Sequence, residues 1–253
     1  MRVTADPALL GAFLLALVRC TAFLVACPFF NGPWVPFRVR LGFGMALALP
    51  LTIHFRDVPL PGSTAGWIVA FIVQAIAGII VGLSLLIVFA GVQAAGELID
   101  LQVGFSYSGT VDPVAGVTST PVARIVQMTG TAVVFAAGGH LLVIRGFLRT
   151  VDAVPIGTID IAAFGSRTLA LASTVFIAAI EIALPVLAAL FCAEIALGLL
   201  GKAAPQMNIL VIGFAAKSAI TIALLALVLA AQPGAITALI ERGLRASFQA
   251  FGN

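Results

Sequence analysis

Long apolar stretches alternate with short polar joints along this chain. Six stand out, at roughly 8–30, 41–55, 66–95, 125–148, 168–200 and 208–231. A helix needs about 20 predominantly apolar residues to cross a bilayer core, so the pattern predicts an all-α membrane protein of about six segments with short loops. The segments are unequal. The second is short and ends in Pro50 and His54, a weak span. The third and fifth are longer than a bilayer requires and should tilt, break or protrude. The first does not read as a cleavable signal peptide, because its apolar run is long and contains Arg19.

Breakers mark the boundaries. Three prolines between Cys27 and Pro36 forbid one continuous helix there. Pro185 falls in the middle of the fifth segment and is expected to kink or split it. Pro205 ends that segment, and Gln232-Pro233-Gly234 is expected to end the sixth. Beyond it, Ile236, Leu239, Ile240, Leu244 and Phe248 share one face while Glu241, Arg242 and Arg245 lie off it, predicting a short amphipathic helix. Gly78 and Gly82 form a GxxxG pair in the third segment, followed by Gly91 and Gly96, which suits close helix packing.

Composition sharpens this picture. Of 253 residues, 62% are hydrophobic and 9% charged, against about 45–50% and about 25% in soluble domains. That excludes a soluble cytosolic enzyme, a nucleic-acid-binding module and a disordered hub. The net charge of +3 is scattered and implies no polyanion partner. Cys20, Cys27 and Cys192 lie in apolar runs without metal-type spacing and read as packing residues. With six spans, Arg2, Arg56, Arg149, Arg167, Arg242 and Arg245 face Arg38, Arg40, Arg124 and Lys202, a small bias toward both termini in the cytoplasm.

The charges inside the apolar runs are more informative. Arg19, His140, Arg145, Glu181, Glu194 and Lys217 occupy such positions. A charged group at a helix centre costs about 2.5–3.5 kcal/mol on insertion scales, so these groups should face a protein interior, a partner or a water-filled passage. Arg145 sits near a segment end and is expected to snorkel. A proton- or ion-coupled secondary transporter using Glu181, Glu194 and Lys217 is one reading of such groups.

One long polar interruption, Gly96 to Pro121, exceeds the common connection length, and such loops are usually functional. Ser106, Ser108 and His140 suggest an intramembrane serine protease only superficially, because the serines lie in the loop and no oxyanion-hole feature accompanies them. Glu97, Asp100 and Asp112 lack a His or Cys partner for metal. Glu97 and Asp100 read as solvating a helix end, and Asp112 as capping a turn before Pro113. No phosphate loop or dinucleotide fingerprint occurs, so neither a cofactor nor a metal is expected.

The same interruption carries a resemblance. Gly96-Glu97-Leu98-Ile99-Asp100-Leu101-Gln102-Val103-Gly104-Phe105, then Val111-Asp112-Pro113 and Pro121-Val122-Ala123-Arg124-Ile125, resemble the FliR family of flagellar and type III secretion export-gate proteins. Ala204-Pro205-Gln206-Met207-Asn208-Ile209 and Val211-Ile212-Gly213-Phe214 match as well, as do Arg19, Pro28-Phe29 and Arg38-Val39-Arg40. The match is collinear over about residues 10–230. It implies a non-enzymatic, channel-forming subunit that assembles with FliP-type and FliQ-type companions in the inner membrane, at the flagellar basal body, and passes unfolded flagellar proteins. It also implies that residues 1–165 form a FliP-like helical part. Residues 166–253 would be a FliQ-like hairpin with the amphipathic helix.

Further implications concern single residues. The stretch 105–121 would plug the closed channel through Phe105, Ser106, Tyr107, Thr110, Asp112 and Pro113. Gly96, Glu97 and Gly104 would position it, together with Asp112. Arg19, Glu181, Glu194, Lys202 and Lys217 would make polar contacts between helices or subunits. The chain departs from the family pattern at Thr110, where an aromatic is frequent, which shifts the plug's bulk onto Phe105 and Tyr107.

Overall fold

The computed structural model describes residues 7–28, 30–31, 35–55, 59–107, 120–153 and 161–250. All regular structure among them is helical. Seven α-helices follow in order: α1 (Pro7–Ala26), α2 (Phe37–Phe55), α3 (Thr64–Val103), α4 (Pro121–Ala136), α5 (Gly139–Ala153), α6 (Ile161–Ala203) and α7 (Ile209–Ala250). A single 3-10 turn, Phe105–Tyr107, follows α3.

Four helices contain stretches long and apolar enough to cross a membrane: Ala8–Ala26, Thr64–Val103, Thr168–Ala203 and Ile209–Ala230. Helices α4 and α5 pass the same test only as a pair. The break between them falls at Ala137-Gly138, where Gly138 takes φ +71°. Helix α2 does not qualify. At 40 residues, α3 is about 60 Å long, twice a hydrocarbon core, and α6 and α7 are of similar length.

Of the two outcomes expected at Pro185, a kink or a split, the split does not occur, because α6 is assigned without interruption from Ile161 to Ala203. The end expected at Pro233 needs correction, since α7 continues through it to Ala250. A proline removes one donor, and one missing bond is tolerated in a membrane helix whose neighbours re-satisfy the freed carbonyl. The amphipathic stretch is therefore the last part of α7. Ile236, Leu239, Ile240 and Leu244 are buried there as expected, and Glu241 pairs with Arg245 at 3.6 Å on the exposed side. Cys20 and Cys27 are buried, but Cys192 is exposed on α6 rather than packed.

The chain forms two compact units. The first comprises residues 1–88, 139–172 and 240–253. Its core includes Leu15, Phe23, Leu51, Phe55, Ile80 and Phe147, with the Phe23 and Phe147 rings stacked at 4.2 Å. Arg19 is fully buried within it. Its guanidinium donates to the Thr150 carbonyl at 2.8 Å, the Thr150 hydroxyl at 2.9 Å and the Gln74 side-chain oxygen at 3.2 Å. One cation thus joins α1, α3 and α5, and the Thr150 hydroxyl in turn donates a hydrogen bond to the Phe147 carbonyl. A guanidinium offers five N–H donors, so it suits a place where several helices converge without water.

The GxxxG pair lies in this unit and packs against α1. A Cβ on Gly78 would collide with the Arg19 carbonyl and the Phe23 amide nitrogen, and one on Gly82 with Ala26 and the Phe23 carbonyl. Backbone atoms cannot yield as a flexible side chain can. Gly78→Val should therefore separate α1 from α3 and disturb Arg19, at a cost of about 1–3 kcal/mol or more. Thermal unfolding of the purified protein should show a clear drop, whereas Gly42→Ala, inside α2 at a site with nothing within 4 Å, should cause no drop and raise the unfolding temperature slightly.

Candidate functional site

The second unit comprises residues 89–138 and 173–239, and contains both ends of the polar interruption. Gly96 and Asp100 lie four residues apart on α3 and so share a face. Both are buried. A Cβ on Gly96 would overlap the Ala123 backbone, so α3 and α4 cross here at backbone contact.

That crossing brings Asp100 to the start of α4. Helix α4 begins Thr120-Pro121, has no acidic residue in its first turn, and Thr120 makes no side-chain cap to its own helix. Proline suits the first position because its missing N–H is not needed. The next two amides need acceptors, and Asp100 supplies them. Its Oδ1 accepts from the Val122 N–H at 3.1 Å and its Oδ2 from the Ala123 N–H at 2.7 Å. The Thr120 hydroxyl donates to Oδ2 as well. The Arg124 amide then opens the regular ladder on the Thr120 carbonyl. A buried carboxylate at the positive end of a helix is thus satisfied on both oxygens.

Asp100 also holds the other end of the interruption. Its backbone carbonyl accepts from the Gly104 N–H at 3.0 Å, and Gly104 turns the chain with φ +103°, a conformation costly for any residue with a Cβ. The turn Phe105–Tyr107 follows. The Phe105 ring meets Phe214 of α7 edge-on, with centroids 5.6 Å apart.

Beside this turn, α3, α6 and α7 make a polar cluster. Lys217 Nζ donates to Glu194 Oε1 at 3.1 Å and to the Gln102 carbonyl at 3.4 Å. Gln102 Nε2 donates to Glu194 Oε2 at 2.8 Å. The cluster borders a groove of about 550 Å³ whose apolar lining includes Leu197, Ile209, Leu210 and Phe214.

The residues singled out in the sequence fall into distinct places. Phe105 and Ser106 are half-buried on the turn, and Tyr107 shares its backbone. Thr110, Asp112 and Pro113 lie outside the described residues, as does the Tyr107 side chain. Glu97 is exposed and accepts from Gln93 of its own helix at 2.7 Å. Arg19 belongs to the first unit. Glu194 and Lys217 meet, whereas Glu181 and Lys202 are exposed and form no ion pair among the described residues. Asp100 is the residue that sequence reasoning misjudged: it is buried and shared between helices rather than solvating a helix end. The usable signal was its i, i+4 spacing from Gly96, together with a helix start at Thr120-Pro121 that carries no cap of its own.

The Gly-Glu-x-x-Asp and Pro-Val-Ala segments are thus two halves of one helix crossing. The sequence profile of the bacterial export proteins, family 1, matches residues 10–243 and takes in both. The chain belongs to that family. It is 33% identical over 215 residues to the flagellar biosynthetic protein FliR of Escherichia coli K12, covering 83% of this chain and 81% of that protein. To FliR of Bacillus subtilis 168 it is 29% identical over 211 residues, 79% of each chain. To the surface presentation of antigens protein SpaR of Shigella flexneri it is 27% identical over 135 residues, 53% of this chain and 52% of that one. The relatives thus include both flagellar proteins and a SpaR protein.

Replacing Asp100 should leave the α4 amides buried without acceptors. Asp100→Ala, and equally Asp100→Asn, which turns a donor toward donors, should cost about 1–3 kcal/mol. Thr120→Ala removes one donor only and should cost about half as much. Thermal unfolding of the purified protein should place both Asp100 variants below Thr120→Ala.

Proposed function

We infer that this component of the flagellar protein-export apparatus acts as a non-catalytic, channel-forming subunit of the export gate. It would join FliP-type and FliQ-type subunits, and other export proteins, in the bacterial inner membrane at the flagellar basal body. Its passengers would be unfolded flagellar proteins, moved by energy supplied elsewhere. The chain would comprise a FliP-like part, residues 1–165, and a FliQ-like hairpin with its amphipathic extension, residues 166–253. These divisions describe resemblance in sequence, whereas the two compact units describe packing.

The observation that carries this reading is the closure of the polar interruption at its base. The chain departs at Gly104 and returns at Thr120, and Asp100 binds both. A segment held at its root can obstruct a passage without being lost from it. Phe105, at that root, would contribute bulk to the plug formed with Ser106, Tyr107, Thr110, Asp112 and Pro113, which Gly96, Glu97 and Gly104 would help to position. A second observation supports an assembled state. Helices α6 and α7 expose large apolar side chains, including Phe176, Leu184, Phe191, Leu210 and Ile222. Glu181 shares the exposed side of α6 with several of these. An ionised carboxylate facing lipid is costly, so Glu181 and Lys202 would meet polar groups of companion subunits.

Co-expression with the FliP-type and FliQ-type subunits should yield one stable complex containing this chain. A homogeneous, transport-active particle of this chain alone would contradict the reading. Within the complex, Phe105→Ala should raise the ion leak across the membrane several-fold while the complex still assembles. An unchanged leak would remove Phe105 from the plug.

A further inference from the structure

We propose that Glu194 and Lys217 are positioning residues for Phe105, acting together as a tether on the last turn of α3. The proposal rests on the gate reading above.

Helix α3 has no basic residue in its last turn. The terminal carbonyls of a helix lack partners within it and form the negative end of its dipole. Lys217, from α7, supplies a cation there through its contact with the Gln102 carbonyl. Glu194, from α6, takes the Gln102 side-chain amide. Backbone and side chain of one residue are thus held by the two members of one ion pair. Two residues later Gly104 turns the chain, and Phe105 lies against Phe214. Phe214 and Lys217 are three residues apart on α7, so the tether and the Phe105 contact share one helix face.

A simple brace between α6 and α7 would need only the ion pair. The Glu194 side chain is 53% exposed, and pairs of that kind contribute little to stability. What the arrangement does distinctively is fix the end of α3. The groove beside it leaves room for an untethered turn to shift, since a Cβ on Gly198 would meet nothing within 4 Å.

The test is the double exchange Glu194→Lys with Lys217→Glu in the assembled complex. The α6–α7 pair re-forms, and a lysine at 194 can donate to the Gln102 side-chain oxygen. The carboxylate now at 217 faces the Gln102 carbonyl, so two acceptors oppose each other at the negative end of α3. Assembly with the companion subunits should match wild type, while the ion leak rises several-fold, as in Phe105→Ala. Lys217→Met, which keeps the apolar stem and the Gln102–Glu194 bond, should leak likewise and serves where the double variant fails to accumulate. Leak-tight complexes of both tether variants, with Phe105→Ala leaking, would overturn the tether and leave the gate reading intact. If none of the three leaks, Phe105 is no part of the plug and the tether falls with it, while the gate reading is decided by the co-expression test.

Discussion

A buried helix end must find acceptors for its amides or donors for its carbonyls, and the second unit is organised by that requirement. The first turn of α4 has no cap of its own, and Asp100 of α3 provides one across the crossing. This works only because Gly96, one turn earlier, lets the two backbones touch. The same aspartate carries Gly104 on its backbone carbonyl, so the polar interruption leaves and re-enters the fold at one residue. The last turn of α3 is treated alike: it lacks a cation, and Lys217 arrives from α7. Both helix ends that flank the interruption are thus completed by other helices. Their geometry depends on packing and not on local sequence alone.

The first unit solves a different problem with the same economy of charge. Arg19 would be costly in hydrocarbon, yet its contacts to Gln74 and Thr150 make it a junction for three helices. The Gly78 and Gly82 crossing brings the α1 backbone against α3 beside it. In both units a glycine-mediated close approach accompanies a buried charge that joins helices. This pairing places the few charges at junctions, which is where a chain with 9% charged residues gains most from them.

Much of this was legible in the sequence where a period or a composition speaks. Five of the six apolar runs each correspond to one helix, the run 125–148 is broken into α4 and α5, and the amphipathic face from Ile236 to Leu244 is buried as its spacing indicated. Pro233 misled, and Pro185 does not split its helix, for one physical reason. Pro185 and Pro233 each remove one hydrogen bond, which reads locally as a boundary, but long apolar helices absorb that loss. Pro205 did mark an end, because α6 stops at Ala203. The role of Asp100 was hidden because its partners lie about twenty residues away across a polar loop. The engagement of Glu194 with Lys217 also depends on folding, since spacing along the chain cannot show that α6 and α7 bring them to the end of α3. Glu181 and Lys202, by contrast, have only their exposure to speak for them.

Asp100 closes the base of the interruption, and amide hydrogen exchange across residues 120–124 of the assembled complex reads that closure. With Asp100 as their acceptor, the Val122 and Ala123 amides should exchange slowly, protected to a degree comparable with the interior of α4. Exchange of those two amides at the rate of unprotected backbone, while the interior of α4 stays protected, would contradict it.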